Sequence, residues 1–242
     1  MTEAEWLRCT DVRAMLHCLP WGKHQRKARL FACACCKQIS DLLRDNWCRQ
    51  AIEIVERFVD DRASESEWEG AERNLRHAID ETRDQHPYPD YLTQPEHVAR
   101  SAVRWMLTWG NRIETIETVA SAIATAAGLI TVLKSRDRSD TRLVLRSAEV
   151  QERERQCRLL RDIIGNPFRP VGVDAGWLAW RDSTVPKIAQ TIYEERAFGR
   201  MPILADALED AGCTNDDMLT HCRQSNEHVR GCWVVDMLTG RS

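Results

Sequence analysis

The chain has 242 residues and a formal charge of −3; 43% of its residues are hydrophobic and 29% charged. That length buries a substantial core, and the balance excludes both an acidic disordered chain and a polybasic nucleic-acid binder. Residues 1–7 carry Glu3 and Glu5 and no apolar run, so no secretory signal is expected there. The longest apolar stretch, 119–133, is shorter than a bilayer needs and is diluted by Ser121, Thr125 and Thr131. It reads as the buried helix of a soluble, cytoplasmic protein with no membrane association. In that compartment the 10 cysteines are expected as thiols, metal ligands or small core residues, not as a disulfide framework.

Glycine (11) and proline (8) are sparse, β-branched runs are nearly absent and period-two alternation never persists. The expected fold is all-α, a multi-helix bundle with a smaller C-terminal helical subdomain. In a capping box a hydroxyl and a carboxylate three residues on satisfy each other's backbone donors. Thr2 with Glu5, Ser64 with Glu67 and Thr93 with Glu96 fit it, and Thr214 with Asp217 is a shorter version. Helices are expected over 24–44, 46–60, 66–84, 95–109, 113–134 and 140–163. His86-Pro87-Tyr88-Pro89 is expected as a loop, because each proline removes a donor and restricts its predecessor. Gly165-Asn166-Pro167-Phe168-Arg169-Pro170 is the sharpest punctuation, and beyond it the texture turns to short helices. The expected division is therefore an N-terminal bundle over 1–165 and a subdomain over 166–242 that carries tryptophan, cysteine and histidine.

In 24–44, Phe31, Cys35, Ile39 and Leu42 recur at helical spacing and define a core face. The helical phase sends Cys33 the opposite way, among Arg29, Lys37 and Arg44, so the three thiols of Cys33, Cys35 and Cys36 do not close on one metal from this helix. Over 134–161 Lys134 and eight arginines interleave with Glu149, Glu152 and Glu154. Such a segment is either a nucleic-acid surface or a solvated helix laced with i,i+4 ion pairs. The absence of interleaved aromatics favours the second.

The C-terminal stretch concentrates the metal-binding chemistry. Cys213, Cys222, His228 and Cys232 are spaced C-x8-C-x5-H-x3-C. This resembles the spacing of CCCH-type zinc fingers with the last two ligand types exchanged. Zinc takes four nitrogen or sulfur ligands at tetrahedral corners, and on a helix His228 and Cys232, four apart, project from one face. These four are the expected ligands of a structural zinc ion, with His221 the substitute should Cys222 point away. Ordinary core packing of the same thiols is the alternative, because 229–238 is apolar nearly all round. A Cys232–His228 nucleophile–base pair oriented by Asp236 is a further one. Asp206, Glu209 and Asp210 read as the solvated side of a helix whose core side is Ile203, Leu204, Ala207 and Leu208. Phosphate-loop, dinucleotide, zinc-protease and serine-hydrolase motifs do not occur.

The opening Met-Thr-Glu-Ala-Glu-Trp-Leu, the run Arg29-Leu30-Phe31-Ala32-Cys33-Ala34-Cys35-Cys36, the block Asn166-Pro167-Phe168-Arg169-Pro170 and the ending His228-Val229-Arg230-Gly231-Cys232-Trp233-Val234-Val235-Asp236 resemble an uncharacterised family of hypothetical proteins from planctomycete-type bacteria. The resemblance spans nearly the whole chain and implies no particular activity. The segment from Leu204 to Gly212 is similar to a short motif, Y-A-D-W-L-E-E-x-G, of large multidomain proteins from such bacteria, which implies an interaction or linker element. The reading adopted is a non-catalytic helical module that binds a protein partner, not nucleic acid, and holds a structural zinc. A metal-dependent or thiol enzyme using the C-terminal cluster, and a nucleic-acid-associated regulator using the 134–161 arginines, are the competing readings.

Overall fold

The computed structural model describes residues 1–39, 46–85, 94–109, 112–135 and 140–241. Among these residues there are twelve α-helices and no strand, so the all-α expectation holds. The helices are α1 (Glu3–Arg8), α2 (Val12–His17), α3 (Gln25–Lys37), α4 (Asn46–Phe58), α5 (Glu65–Gln85), α6 (Pro95–Trp109), α7 (Ile113–Lys134), α8 (Thr141–Ile164), α9 (Ala175–Glu195), α10 (Met201–Asp210), α11 (Asp216–Arg223) and α12 (Trp233–Leu238).

Two capping boxes form as the sequence expects. The Thr2 N–H donates to Glu5 Oε2 at 2.7 Å and the Ser64 N–H to Glu67 Oε2 at 2.8 Å, with the reciprocal bonds made by the hydroxyls. Thr93, the 86–89 loop and Leu42 lie outside the described residues. The cap of α11 is Asn215, not Thr214: its side-chain oxygen accepts the Met218 N–H at 2.9 Å. Asparagine one residue later offers the same short acceptor, and it wins.

The chain divides into two compact units, one of Met1 and Arg8–Cys157, the other of Thr2–Leu7 and Arg158–Ser242. The second unit therefore starts inside α8, seven residues before the expected division at 165, and includes most of α1.

In the first unit α3 packs against α4, α6 and α7. Phe31, Cys35 and Ile39 are buried together as the helical phase requires. Cys33 is buried too, with Sγ 3.5 Å from Met106 Sδ, while Arg29 and Lys37 are half-buried and Arg44 lies outside the described residues. Cys33 is inside because residues 30–36 are all small or apolar, and a helix apolar all round goes inside. Helix α7 is long and apolar enough to cross a membrane by length and composition; here Ile116, Val119, Ala120, Ile123 and Ala124 are buried, and the helix packs on α3 and α6. Along α8 the Glu149–Arg153 pair, four apart and 3.3 Å between charges, is one of the i,i+4 ion pairs its sequence suggested.

In the second unit α9 and α10 pack together, α11 sits on α10 and α12 on α9. Tyr193 and Met218 are fully buried among Leu204, Leu208, Val234 and Val235. Helix α9 is not one straight rod: Arg181, Asp182 and Ser183 take φ of +41°, +57° and +60° and kink it. Ile203, assigned to the core side of α10, is 56% exposed, while Leu204, Ala207 and Leu208 are buried. Asp206 and Glu209 stay on the solvated side and both hold Arg223.

Candidate metal centre

The chemistry of the second unit gathers where α8 ends. Gly165 stops that helix with φ +74°, and its N–H returns to Arg161 O at 2.8 Å. This left-handed closure is the ordinary use of glycine after a helix. It leaves Asp162 in the last turn, on the same side as Leu159 three residues earlier. A carboxylate there opposes the negative end of the helix dipole. Asp162 is nevertheless 4% exposed, so its charge needs compensation nearby.

That compensation comes from His221 and His228, and Cys232 joins them from a third segment. His221 lies in the last turn of α11, three residues after the buried Met218. His228 sits in the loop between α11 and α12, and Cys232 is the N-terminal boundary residue of α12. Asp162 Oδ1 is 2.6 Å from His228 Nδ1 and 3.2 Å from His221 Nε2. Cys232 Sγ is 3.2 Å from His221 Nε2 and 4.0 Å from His228 Nδ1. All four atoms lie within 4.8 Å of one another. Asp162 Oδ2 accepts the Val229 N–H at 2.9 Å, which fixes the carboxylate and the loop together.

The expected helix over 228–232 does not form. Residues 228–231 are a loop, with a turn in which the Cys232 N–H donates to Val229 O at 3.0 Å and Gly231 takes φ +92°. His228 and Cys232 come together through this turn and not through helical periodicity. The loop is held from outside by Arg230, whose guanidinium lies 4.7 Å over the Tyr193 ring, with Arg241 4.2 Å from the same ring.

Of the four sequence-assigned ligands, His228 and Cys232 belong to this group. Cys222 and Cys213 do not. Cys213 Sγ packs 3.8 Å from Met218 Sδ, and both thiols are buried in the apolar core of the unit. His221 takes the place of Cys222, the substitution its neighbouring position anticipates, because adjacent residues on a helix diverge by about 100°. The fourth ligand atom comes from Asp162, which the sequence reading missed. Its one sequence signal is a carboxylate on the apolar side of a helix's last turn.

Electrostatics follow the geometry. Burial opposes ionisation of Asp162, but hydrogen bonds to His221 and His228 and their positive potential outweigh it, so its pKa lies below the ordinary value. Burial, then the neighbouring Asp162 charge, push the Cys232 thiol well above its ordinary value. Burial likewise pushes Cys222 up to about 12.

The arrangement differs from that of a nucleophile relay and could hold a metal ion. In a relay the two nitrogens of one imidazole are divided, one facing the nucleophile and the other the carboxylate. Here His221 turns the same nitrogen, Nε2, toward both Asp162 and Cys232, and His228 turns Nδ1 toward both. One candidate ligand atom from each of the four side chains lies within 4.8 Å of the other three. The ligand bonds of tetrahedral zinc give edges of about 3.3–3.6 Å. The corresponding separations are 2.6, 3.2, 3.2 and 4.0 Å, on either side of that range. Asp236, considered as an orienting carboxylate, is outside the group.

No protein-family model, curated protein or solved structure matches the chain. Fold and site together define the class: an all-α protein with a group of aspartate, two histidines and cysteine that could hold a metal ion.

Proposed function

We propose that the protein is a non-catalytic helical interaction or scaffold module, acting in the cytoplasm on a protein partner, whose C-terminal unit is clamped by one zinc ion. Asp162, His221, His228 and Cys232 are its ligands. The observation that carries the reading is the convergence of one donor atom from each of four separately placed side chains. A set of one oxygen, two nitrogens and one sulfur suits a borderline cation such as zinc, and four protein ligands make a closed, structural site. Zinc would also reverse the local acid–base balance, holding Cys232 as a thiolate in a place where burial otherwise keeps it protonated. On the interaction side, Trp47 and Trp105 are 41% and 37% exposed on the first unit and supply the aromatic anchors such a module uses.

The test is metal content and stoichiometry of the purified full chain, alone and as the Asp162→Asn, His221→Gln, His228→Gln and Cys232→Ser variants. The reading expects one zinc per chain, lost or sharply weakened in each variant, while Cys213→Ser and Cys222→Ser retain it. Zinc retained in the four ligand variants sinks it.

A second reading has its own observation. His221 and Trp233 also line a pocket of about 280 Å³ with Arg161, Asn166 and Thr220. A metal held by three of the four ligands would face that pocket with an open position, the arrangement of catalytic zinc. Coordination number separates the two readings.

A further inference from the structure

Helix α1 reaches the same neighbourhood by two routes. Trp6 is fully buried in the second unit. Its indole Nε1–H donates to Gly165 O at 3.0 Å. Its own carbonyl accepts from Arg161 Nη2 and Nε, at 2.8 and 3.1 Å. Arg161 immediately precedes the ligand Asp162. Gly165 is pressed against Trp233: a Cβ added there would lie 3.0 Å from Trp233 Cγ. Trp233 in turn packs against the proposed ligand His221, with ring centroids 5.2 Å apart and the ring planes tilted by 54°. A second anchor fixes the start of the helix. Glu3 Oε1 accepts from Asn166 Nδ2 at 2.7 Å and pairs with Arg169 at 2.9 Å.

Resting on the metal reading, we infer that Trp6 and Arg161 are positioning residues of the metal centre, and that metal binding in turn docks α1. One route, Trp6–Arg161, sets the last turn of α8 and with it the Asp162 carboxylate. The other, Trp6–Gly165–Trp233, sets the plane of the His221 ring. The Trp6 side-chain N–H serves one contact and its carbonyl the other, while its backbone N–H donates to Thr2 O at 2.9 Å at the start of α1. Coupling between two sites is reciprocal: whatever α1 docking contributes to metal affinity, metal contributes equally to α1 docking. A chain of direct contacts this short supports coupling of about tenfold, within the usual range for linked sites. The N-terminal helix thereby gains a role that no spacing of metal ligands suggests. That role makes the first helix a reporter of whether the C-terminal unit is loaded.

The experiment uses the full chain and zinc alone. Zinc affinity is measured by competition with a chromophoric chelator, and amide hydrogen exchange of α1 is followed with and without zinc. Trp6→Phe keeps the ring but removes the N–H, Arg161→Lys removes the paired donors, and Leu204→Ala is a core truncation of the same unit outside both routes. Expected are affinities about tenfold weaker for the first two variants and within about twofold for the third. Zinc should slow exchange in α1 about tenfold in the unmodified chain and not in Cys232→Ser. Unmodified affinity in both Trp6→Phe and Arg161→Lys, or α1 exchange that ignores zinc, overturns the coupling while the centre stands. The exchange measurement needs no variant, so a variant that fails to fold does not remove the test. No zinc bound by the unmodified chain overturns the centre and the coupling with it.

Discussion

Replacing Cys232 by serine separates a metal centre from simple packing. The side chain is fully buried, with Sγ 3.2 Å from His221 Nε2, so a serine hydroxyl retains a partner within reach. Without metal, such a swap costs about 1 kcal/mol, the central value for a point substitution. With metal, the loss is the whole linkage term. At free zinc a thousandfold above the dissociation constant, binding to the folded state alone adds about 4 kcal/mol. For a chain of this size each kcal/mol moves the melting temperature by about 2–4 °C, so zinc should raise it by about 8–16 °C over chelator-treated protein. Thermal unfolding followed by far-ultraviolet circular dichroism, with zinc or with EDTA, reads this directly. The serine variant should melt near the EDTA-treated unmodified chain and show little response to zinc. Superimposable melts of the unmodified chain in zinc and in EDTA would refute the reasoning, whatever the serine variant does.

Native protein at pH 8 should expose two thiols to a disulfide reagent, Cys9 first and Cys18 more slowly because partial burial pushes its thiol up, while the other eight are buried and burial alone lifts Cys36 to about 12; prompt reaction of Cys36 or Cys222 would contradict the packing. Gly165→Ala should destabilise by about 2–5 kcal/mol in urea unfolding, since it combines a positive φ with a Cβ 3.0 Å from Trp233; a change below about 0.5 kcal/mol would mean the tryptophan yields freely. The Ser64 N–H and the Arg57 guanidinium lower the Glu67 pKa to about 2. Its contribution is therefore present above the ordinary carboxylate range and is lost as pH falls through about 2. In a nuclear magnetic resonance titration, removing the Arg57 donor by Arg57→Gln should raise the Glu67 value, and an unmoved value would contradict that share of the shift.

Much of this could be read from the residues. Helices over 46–60, 66–84, 95–109, 113–134 and 140–163 appear within a few residues of those bounds, because period and caps are local properties. The site was half legible. His228 and Cys232 were picked out by spacing, but for the wrong reason. Arg230-Gly231 breaks the periodicity with a turn, and that glycine is the local signal of the break. His221 was reachable as the neighbour of Cys222 on α11. Asp162 was not, because it lies 59 residues before His221 and only tertiary packing brings them together. Cys33 shows the opposite failure: nearby basic residues suggested an outward face, while packing on three sides took the thiol inside. Local pattern specifies which residues are apolar and which can ligate; how many neighbours a helix acquires is settled by the rest of the chain.

The most direct measurement is zinc K-edge X-ray absorption on the zinc-loaded full chain. The account predicts a four-coordinate shell with one sulfur at about 2.3 Å and three nitrogen or oxygen ligands at about 2.0–2.1 Å. Two or more sulfurs would return the site to the Cys213 and Cys222 set, and a six-coordinate oxygen shell or failure to retain zinc would contradict the centre itself.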